Sequence, residues 1–278
     1  MVLFAVFIGF LTYVFGEASG YGGSYVGIAL VISGIMSFSS YYWSDKVVLS
    51  LSRARPADPK RDFDFYTVAE NMAIAAGLPK PKLYVIDDQA MNAFATGRDP
   101  KHAVIVATTG ILQKLSRSEL EGVIAHEMSH VKNYDIRVMS IVTVLVGFVA
   151  ILADMFLRNM FWGGRDRDNK AGGVILLVGI VLGLLSPIIA QLIQLSVSRR
   201  REYLADASGA LLNRNPDALA DALEKLAHDR NPLHSASNAT AHLFITNPFK
   251  GKEVKNFLAG LFNTHPPIEE RIKILRAM

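Results

Sequence analysis

Apolar residues along the chain gather in four long stretches, at residues 2–15, 24–43, about 138–156 and about 173–197. A helix that crosses a bilayer needs about 20 predominantly apolar residues. The second stretch carries no charged residue and ends in Tyr41, Tyr42 and Trp43, which are aromatic residues typical of a membrane interface. Pro187 interrupts the fourth stretch, as membrane helices tolerate. The pattern predicts four transmembrane helices, with a buried hairpin of a soluble domain as the alternative for the last two.

Two polar segments, residues 44–137 and 198–278, alternate with these stretches. In the first segment, the spacing of apolar residues predicts one helix and three strands. The helix is expected over residues 65–76, and the strands over residues 82–87, 92–97 and 103–108, with 92–97 at an edge. Ser116 followed by Glu119 is a capping box. It predicts a helix that continues past residue 130 and could run into the third apolar stretch. The second segment is expected to be mostly helical.

Composition narrows the possible chemistry. Of 278 residues, 51 % are hydrophobic and 19 % are charged, and the net charge is only +4, which excludes a disordered chain. The excess of 29 basic over 25 acidic residues is too small to indicate a nucleic-acid partner. The chain has no cysteine, which excludes disulfides, thiolate metal sites and a cysteine nucleophile. A transition metal would therefore be held by His, Asp and Glu.

Basic residues mark the side of the membrane on which the polar segments lie. Lys46, Arg53 and Arg55 follow the second apolar stretch, and Arg199–Arg201 follow the fourth at once. Basic residues near helix ends favour the cytoplasmic side, so both polar segments are expected there. The loop between the third and fourth stretches also carries basic residues, but with four spans it is expected on the outside.

The most informative motif is His126-Glu127-Met128-Ser129-His130 on the capped helix. Residues four apart lie on one face of a helix, so both imidazoles can bind a single ion. Glu127 is offset by about 100° and can reach a water at the open position of that ion. Two nitrogen ligands and a carboxylate suit zinc. The alternative is a pair of solvated helical histidines.

A catalytic zinc needs a third protein ligand, and Glu202 is the best candidate. It lies on a helix that follows the fourth apolar stretch directly. Asp206, one turn further, could accept the free ring N–H of a ligand histidine and fix its orientation. The alternative is a surface helix on which Glu202 pairs with neighbouring arginines.

Taken together, these motifs resemble the HtpX-type integral-membrane zinc metallopeptidases, which are relatives of the CAAX-prenyl endopeptidases. The resemblance covers most of the chain. It rests on the two leading apolar stretches, Gly77-Leu78-Pro79, Asn92–Gly97, the His126–His130 motif, Glu202-x-x-x-Asp206 and Thr264-His265-Pro266-Pro267. It implies a gluzincin-type zinc endopeptidase with one Zn²⁺ per subunit, in which His126, His130 and Glu202 are ligands and Glu127 is catalytic. The fold expected is a mainly α membrane protein with four transmembrane helices and a small α+β catalytic domain that carries a short β-sheet.

The resemblance also implies a domain organisation and a cellular role. Two transmembrane helices (1–43) would precede a cytosolic catalytic segment (44–137), followed by a transmembrane hairpin (138–197) and a cytosolic helical segment with the third ligand (198–278). The expected location is the plasma or inner membrane, with the active site on the cytoplasmic side. The expected substrates are polypeptides, chiefly misfolded or damaged membrane proteins, and the role is quality control under stress.

Two further groups of residues have assigned roles with open alternatives. His265, which is followed by two prolines and is similar in place to a family histidine, is a candidate to stabilise the oxyanion; a structural turn histidine is the alternative. Tyr203 is a weaker candidate for that role. The residues Asn92, Ala93, Phe94 and Ala95 are expected to bind the substrate backbone as an edge strand, and an ordinary turn is the alternative.

Two other classes of function compete with the peptidase. A catalytically inactive relative could bind membrane proteins as an adaptor, but such a protein has no chemical reason to keep Glu127. A transporter would need helices with polar, pore-lining faces, and the uncharged stretch at residues 24–43 offers almost none.

Overall fold

The computed structural model describes residues 26–144, 146, 199–237, 240–249 and 266–278. The chain divides into two compact units, Met1–Trp43 with Leu145–Gln191 and Ser44–Val144 with Leu192–Met278. Helix α1 (Val26–Leu51) contains most of the second apolar stretch. Among the described residues, no helix combines the length and the apolar character needed to cross a membrane. The stretches at 2–15 and 173–197, and most of 138–156, lie outside the described residues.

The remaining elements follow in chain order. They are β1 (Arg55–Pro56), α2 (Phe63–Ala76), β2 (Lys82–Ile86), β3 (Ala93–Thr96), β4 (Val104–Thr108), α3 (Thr109–Lys114), α4 (Arg117–Lys132), α5 (Arg199–Asn213), α6 (Pro216–His228) and α7 (Ile268–Leu275), with short 3₁₀ helices at Pro100–His102 and Ala241–Leu243. The helix and the three strands predicted in the first polar segment correspond to α2, β2, β3 and β4 and are confirmed.

The four strands form one mixed sheet in the order β1-β2-β4-β3. Strands β2 and β4 are parallel, with Lys82 opposite Val104, whereas β3 runs antiparallel to β4, with Ala93 opposite Ala107. The expected edge strand is therefore at the edge. All five residues of β4 are buried because both faces of the sheet are covered. Ile105 belongs to the core shared with α4, while its neighbours in β4 pack on the opposite face.

Helix α4 begins with the capping box expected from the sequence. The Ser116 hydroxyl accepts from the Glu119 backbone N–H, and a Glu119 carboxylate oxygen accepts from the Ser116 N–H at 2.6 Å. The helix does not continue into the third apolar stretch, so that expectation is wrong. It ends at Lys132, and the chain turns through Tyr134, whose φ of 60° is left-handed, before helix resumes at residue 135.

Helices α5 and α6 both pack against α4, and two glycines set how closely they approach. A Cβ at Gly122 would lie 2.6 Å from the backbone nitrogen of Leu219, and a Cβ at Gly209 would lie 3.0 Å from that of His126. The backbones are therefore in near contact at both crossings. The second crossing brings α5 directly against the helix that carries the two histidines.

Candidate active site

Helices α4 and α5 bring three potential metal ligands together in the interior. His126 and His130 lie one turn apart on α4, and their Nε2 atoms are 3.2 Å apart. Glu202 reaches them from α5, with Oε1 3.5 Å from His130 Nε2 and Oε2 3.8 Å from His126 Nε2. All three side chains are at most 5 % exposed. The alternatives of solvated histidines and of a surface glutamate are therefore wrong.

The spacing of these atoms fits a tetrahedral zinc ion. Ligand atoms that lie about 2.0–2.1 Å from such an ion are roughly 3.4 Å from one another. The distance between the two Nε2 atoms and the distance from each of them to an oxygen of Glu202 bracket this value. Two imidazoles and a carboxylate are also the ligand set of several catalytic zinc sites. The residues present thus fit zinc in both chemistry and spacing.

A buried carboxylate supports His126 on the side away from Glu202. Asp206 Oδ1 lies 2.9 Å from His126 Nδ1 and leaves Nε2 directed at the ligand group. Burial works to raise the pKa of Asp206, but the charge of Arg271 and the hydrogen bonds from His126 and Arg271 outweigh it and lower the pKa to about 2. Burial lowers the pKa of His126 below its ordinary value, which favours the neutral imidazole that a metal requires.

A second buried carboxylate supports His130, and sequence reasoning missed it. Asp135 is the residue at which helix resumes after the turn that follows α4. Its Oδ2 is 3.0 Å from His130 Nδ1, while Arg201 pairs with the other oxygen. Burial lowers the pKa of His130, but Asp135, Glu202 and Glu127 together raise it to about 9. Carboxylates around this ring therefore favour positive charge at the ligand group, which a metal cation would supply.

Glu127 is buried beside the ligands without belonging to them. Burial raises its pKa to about 7, and the nearby negative charge of Glu202 acts in the same direction. The positive charge of His130 and a hydrogen bond from the backbone of Ala95 act the opposite way. A carboxyl group with a pKa near neutral pH can both accept and return a proton, which is what a general acid–base catalyst needs.

The edge strand β3 lies next to Glu127 and is partly covered by the chain itself. Because Thr108 N–H donates to the Asn92 carbonyl, Ala93 and Ala95 direct their backbone groups away from β4. Ala93 O accepts from the Ile245 N–H at 3.0 Å, and Ala95 bonds Glu127. The side-chain amide of Asn92 donates to the carbonyl of Thr246, also at 3.0 Å. The rings of Phe94 and Phe244 pack edge to face, 5.0 Å between centroids. Residues 243–246 thus occupy part of the edge.

Comparison with known proteins decides the family. A model described as peptidase family M48 matches residues 59–278, which is most of the chain. The chain belongs to peptidase family M48. Its members are metalloproteases that use zinc, so this M48 peptidase is a metalloprotease with zinc as its cofactor, and the sequence-based predictions of enzyme class and cofactor are confirmed.

Individual relatives of this M48 peptidase match over nearly their whole length. The protease HtpX homolog of Caldanaerobacter subterraneus subsp. tengcongensis is 44 % identical over 283 residues, which cover 100 % of this chain and 93 % of that protein. The homolog of Syntrophobacter fumaroxidans is 46 % identical, covering 100 % and 97 %. The crystal structure of S. mikatae Ste24p has a TM-score of 0.53 at 20 % identity and covers 96 % of this chain and 62 % of that one. That likeness concerns the fold alone: mainly helical, with a small sheet.

The remaining candidate residues of this M48 peptidase have different outcomes. His265 lies outside the described residues, so its role stays a prediction. The hydroxyl of Tyr203 donates to Glu270 at 2.8 Å rather than to a member of the ligand group. Sequence reasoning missed Arg271, which contacts Asp206 from α7, and Arg201, which pairs with Asp135. Asp135 could have been found as an acidic residue just beyond the motif, whereas Arg271 gives no local signal.

Proposed function

We propose that this M48 peptidase is a membrane-bound zinc endopeptidase in which His126, His130 and Glu202 hold the metal and Glu127 is the general base and acid. The observation that carries the proposal is the buried Glu127 carboxyl beside three convergent ligand atoms. When bound, zinc supplies Lewis acidity that polarises the scissile carbonyl and lowers the pKa of water from about 15.7 toward 7. Glu127 would take the proton from the attacking water and return it to the leaving amine.

The residues around the ligands would act by holding them in place. Asp206 and Asp135 would each accept the free Nδ1–H of one histidine, which fixes the tautomer that presents Nε2 to the metal. His265 is proposed to donate to the oxyanion. Substrate backbone would be laid along β3, where strand addition gives affinity with little sequence preference. Such a substrate would bond to the outward-facing backbone groups of β3 that residues 243–246 do not cover, or it would displace that segment.

The matched test of the catalytic assignment uses two variants of the full chain in detergent. Glu127→Gln should keep bound zinc and lower cleavage of an unfolded polypeptide by about 10²–10⁴-fold, the usual contribution of a general base. Glu202→Ala should lower bound zinc per chain, measured by atomic absorption. Appreciable turnover by Glu127→Gln would remove Glu127 from its role. Absence of turnover in the unmodified zinc-loaded protein would favour the inactive adaptor instead.

The membrane assignment rests on the four apolar stretches and on the basic residues beside them. It comprises four spans, both polar segments in the cytosol, a multi-pass location in the plasma or inner membrane, and misfolded or damaged membrane proteins as substrates under stress. Because the chain has no cysteine, one introduced at Asn169 is the single thiol. An impermeant reagent should label it in intact cells. Labelling only after lysis would indicate the opposite topology, with residue 169 on the cytosolic side.

A further inference from the structure

Arg271 is a fully buried arginine that reaches the zinc group from the C-terminal helix α7. Its side chain is 1 % exposed. Nε and Nη2 donate to the two oxygens of Asp206 at 2.8 and 2.7 Å. Nη1 lies 3.8 Å from Glu202 Oε2 and donates to the Ile245 carbonyl at 3.4 Å. Nη2 is also 3.5 Å from His126 Nδ1. The guanidinium thus contacts Glu202, which is a proposed ligand, and Asp206, which supports another proposed ligand. It also contacts Ile245, in the segment along β3.

The paired hydrogen bonds fix the orientation of the Asp206 carboxylate. A guanidinium bound to both oxygens holds the plane of the carboxylate, which a single point charge does not do. Asp206 Oδ1 accepts from Arg271 and lies 2.9 Å from His126 Nδ1. The orientation of the imidazole, and hence the direction of Nε2, therefore depends on where Arg271 holds Asp206.

Charge gives Arg271 a second effect on the same group. Glu202 and Asp206 are both about 1–2 % exposed and lie one turn apart on α5. Two buried carboxylates need opposite charge nearby, because water does not solvate them there. Arg271 contacts both, so it offsets part of their negative charge whether or not a metal is present. A cation with fixed geometry keeps the two carboxylates in place before zinc arrives.

The support of the other histidine is built differently. Arg201 contacts one oxygen of Asp135, and its side chain is 44 % exposed. An exposed arginine on one oxygen is screened by water and restrains the carboxylate less than a buried, paired one. The two histidines therefore have carboxylate supports of unequal rigidity, and the buried arginine belongs to the His126 side.

We propose that Arg271 is a positioning residue of the zinc centre, which orients Asp206 and Glu202 and so sets the affinity of the site for zinc. The inference rests on the zinc-binding role proposed above for His126, His130 and Glu202. It gives the C-terminal helix a part in metal binding, although it supplies no ligand among the described residues.

The test compares Arg271→Met, Arg271→Lys and the control Arg276→Met in the full chain in detergent. Arg276 is the C-cap residue of the same helix but is exposed, and it pairs with Asp217 and Asp221 at the surface. The readouts are the zinc dissociation constant from chelator competition and the unfolding temperature with and without zinc. Neither requires turnover.

Arg271→Met should weaken zinc binding by about 10–100-fold, as loss of a support beyond the ligands commonly does. Arg271→Lys, which keeps the charge but not the paired geometry, should fall between Met and the unmodified protein, and Arg276→Met should stay within about twofold. If Arg271→Met does not fold, the Lys variant carries the test. The effect of Arg271→Met should also shrink in an Asp206→Asn background, because both changes break the same support.

Zinc dissociation constants within about twofold of the unmodified protein for both Arg271 variants would overturn the inference. That result, with unfolding temperatures lowered equally with and without zinc, would make Arg271 a structural residue only. Failure of the unmodified protein to bind zinc would instead overturn the zinc-binding proposal on which the inference rests.

Discussion

Replacing Gly209 by alanine tests whether the contact between α4 and α5 sets the geometry of the ligand group. A Cβ at this position would lie 3.0 Å from the backbone nitrogen of His126, 3.1 Å from its Cα and 3.2 Å from the carbonyl carbon of Ala125. These atoms are backbone, so relief requires the helices to shift by a few tenths of an ångström. Glu202 and Asp206 share a face of α5 with Gly209, because the three positions are spaced by four and three residues.

The expected change in stability is small because two effects oppose each other. Alanine is favoured over glycine inside a helix by about 1 kcal/mol. Extra volume in a packed interior costs about 1–3 kcal/mol. The free energy of unfolding should therefore fall by roughly 0–2 kcal/mol, which leaves the protein folded.

Zinc affinity is expected to be more sensitive than stability to the same shift of the helix. Distances in a metal site are set to within about 0.2 Å. A shift of α5 by a few tenths of an ångström exceeds that tolerance at Glu202. We expect zinc binding of Gly209→Ala to weaken about tenfold, which corresponds to about 1.4 kcal/mol.

The assay is chelator competition together with urea denaturation, with Ser208→Ala as the control. Ser208 precedes Gly209 on the same helix and is half-buried. Its replacement should leave zinc affinity within about twofold. Gly209→Ala could bind zinc as tightly as the unmodified protein and have a free energy of unfolding raised by the full helix propensity of alanine, about 1 kcal/mol. In that case the close approach of the helices does not determine the geometry of the ligand group.

Two further substitutions test the packing and the cap of α4. Gly122→Ala should destabilise the protein more than Gly209→Ala, by roughly 3 kcal/mol, since its Cβ would meet the α6 backbone at 2.6 Å; an unchanged urea midpoint would contradict this. Burial raises the pKa of Glu119, but hydrogen bonds from Lys225 and the N-cap outweigh it and hold the pKa below its ordinary value. The stabilisation of the folded protein by the Glu119 carboxylate is therefore present above the unfolded-state pKa and is lost as pH falls through the folded-state pKa. Glu119→Gln should cost about 1 kcal/mol at pH 7 and progressively less in acid, and a cost that does not change with pH would contradict this.

Local patterns were sufficient to predict much of the architecture. The strands could be placed because alternating apolar residues such as Leu83 and Val85 meet a sheet that is covered on both faces. The capping box at Ser116 could be placed because its two hydrogen bonds join residues only three apart. His126 and His130 could be paired because the geometry of a helix fixes their separation. Each of these predictions depends on residues within one element.

Contacts between distant parts of the chain were beyond such reasoning. Arg271 and His126 are 145 residues apart, and nothing around Arg271 distinguishes it from the surface arginine five residues later. The cover that Ile245 and Thr246 provide for β3 is equally non-local, since 154 residues separate Thr246 from Asn92. The end of α4 was missed because the chain turns there through Tyr134, which adopts a left-handed conformation. No proline or glycine at this point of the sequence indicates that the helix ends.

The proposed zinc centre joins the two polar segments of the chain, because its residues come from both. The HExxH helix α4 comes from the first segment, and α5 and α7 come from the second. Glu202 reaches across from α5 as a proposed ligand, and Arg271 reaches from α7 to hold Asp206. A ligand that binds only the folded state stabilises it by about 2.7 kcal/mol at a free concentration one hundred times its dissociation constant. Because Arg271 supplies only one positive charge beside the two buried carboxylates of Glu202 and Asp206, losing the metal should loosen the packing of α4 on α5.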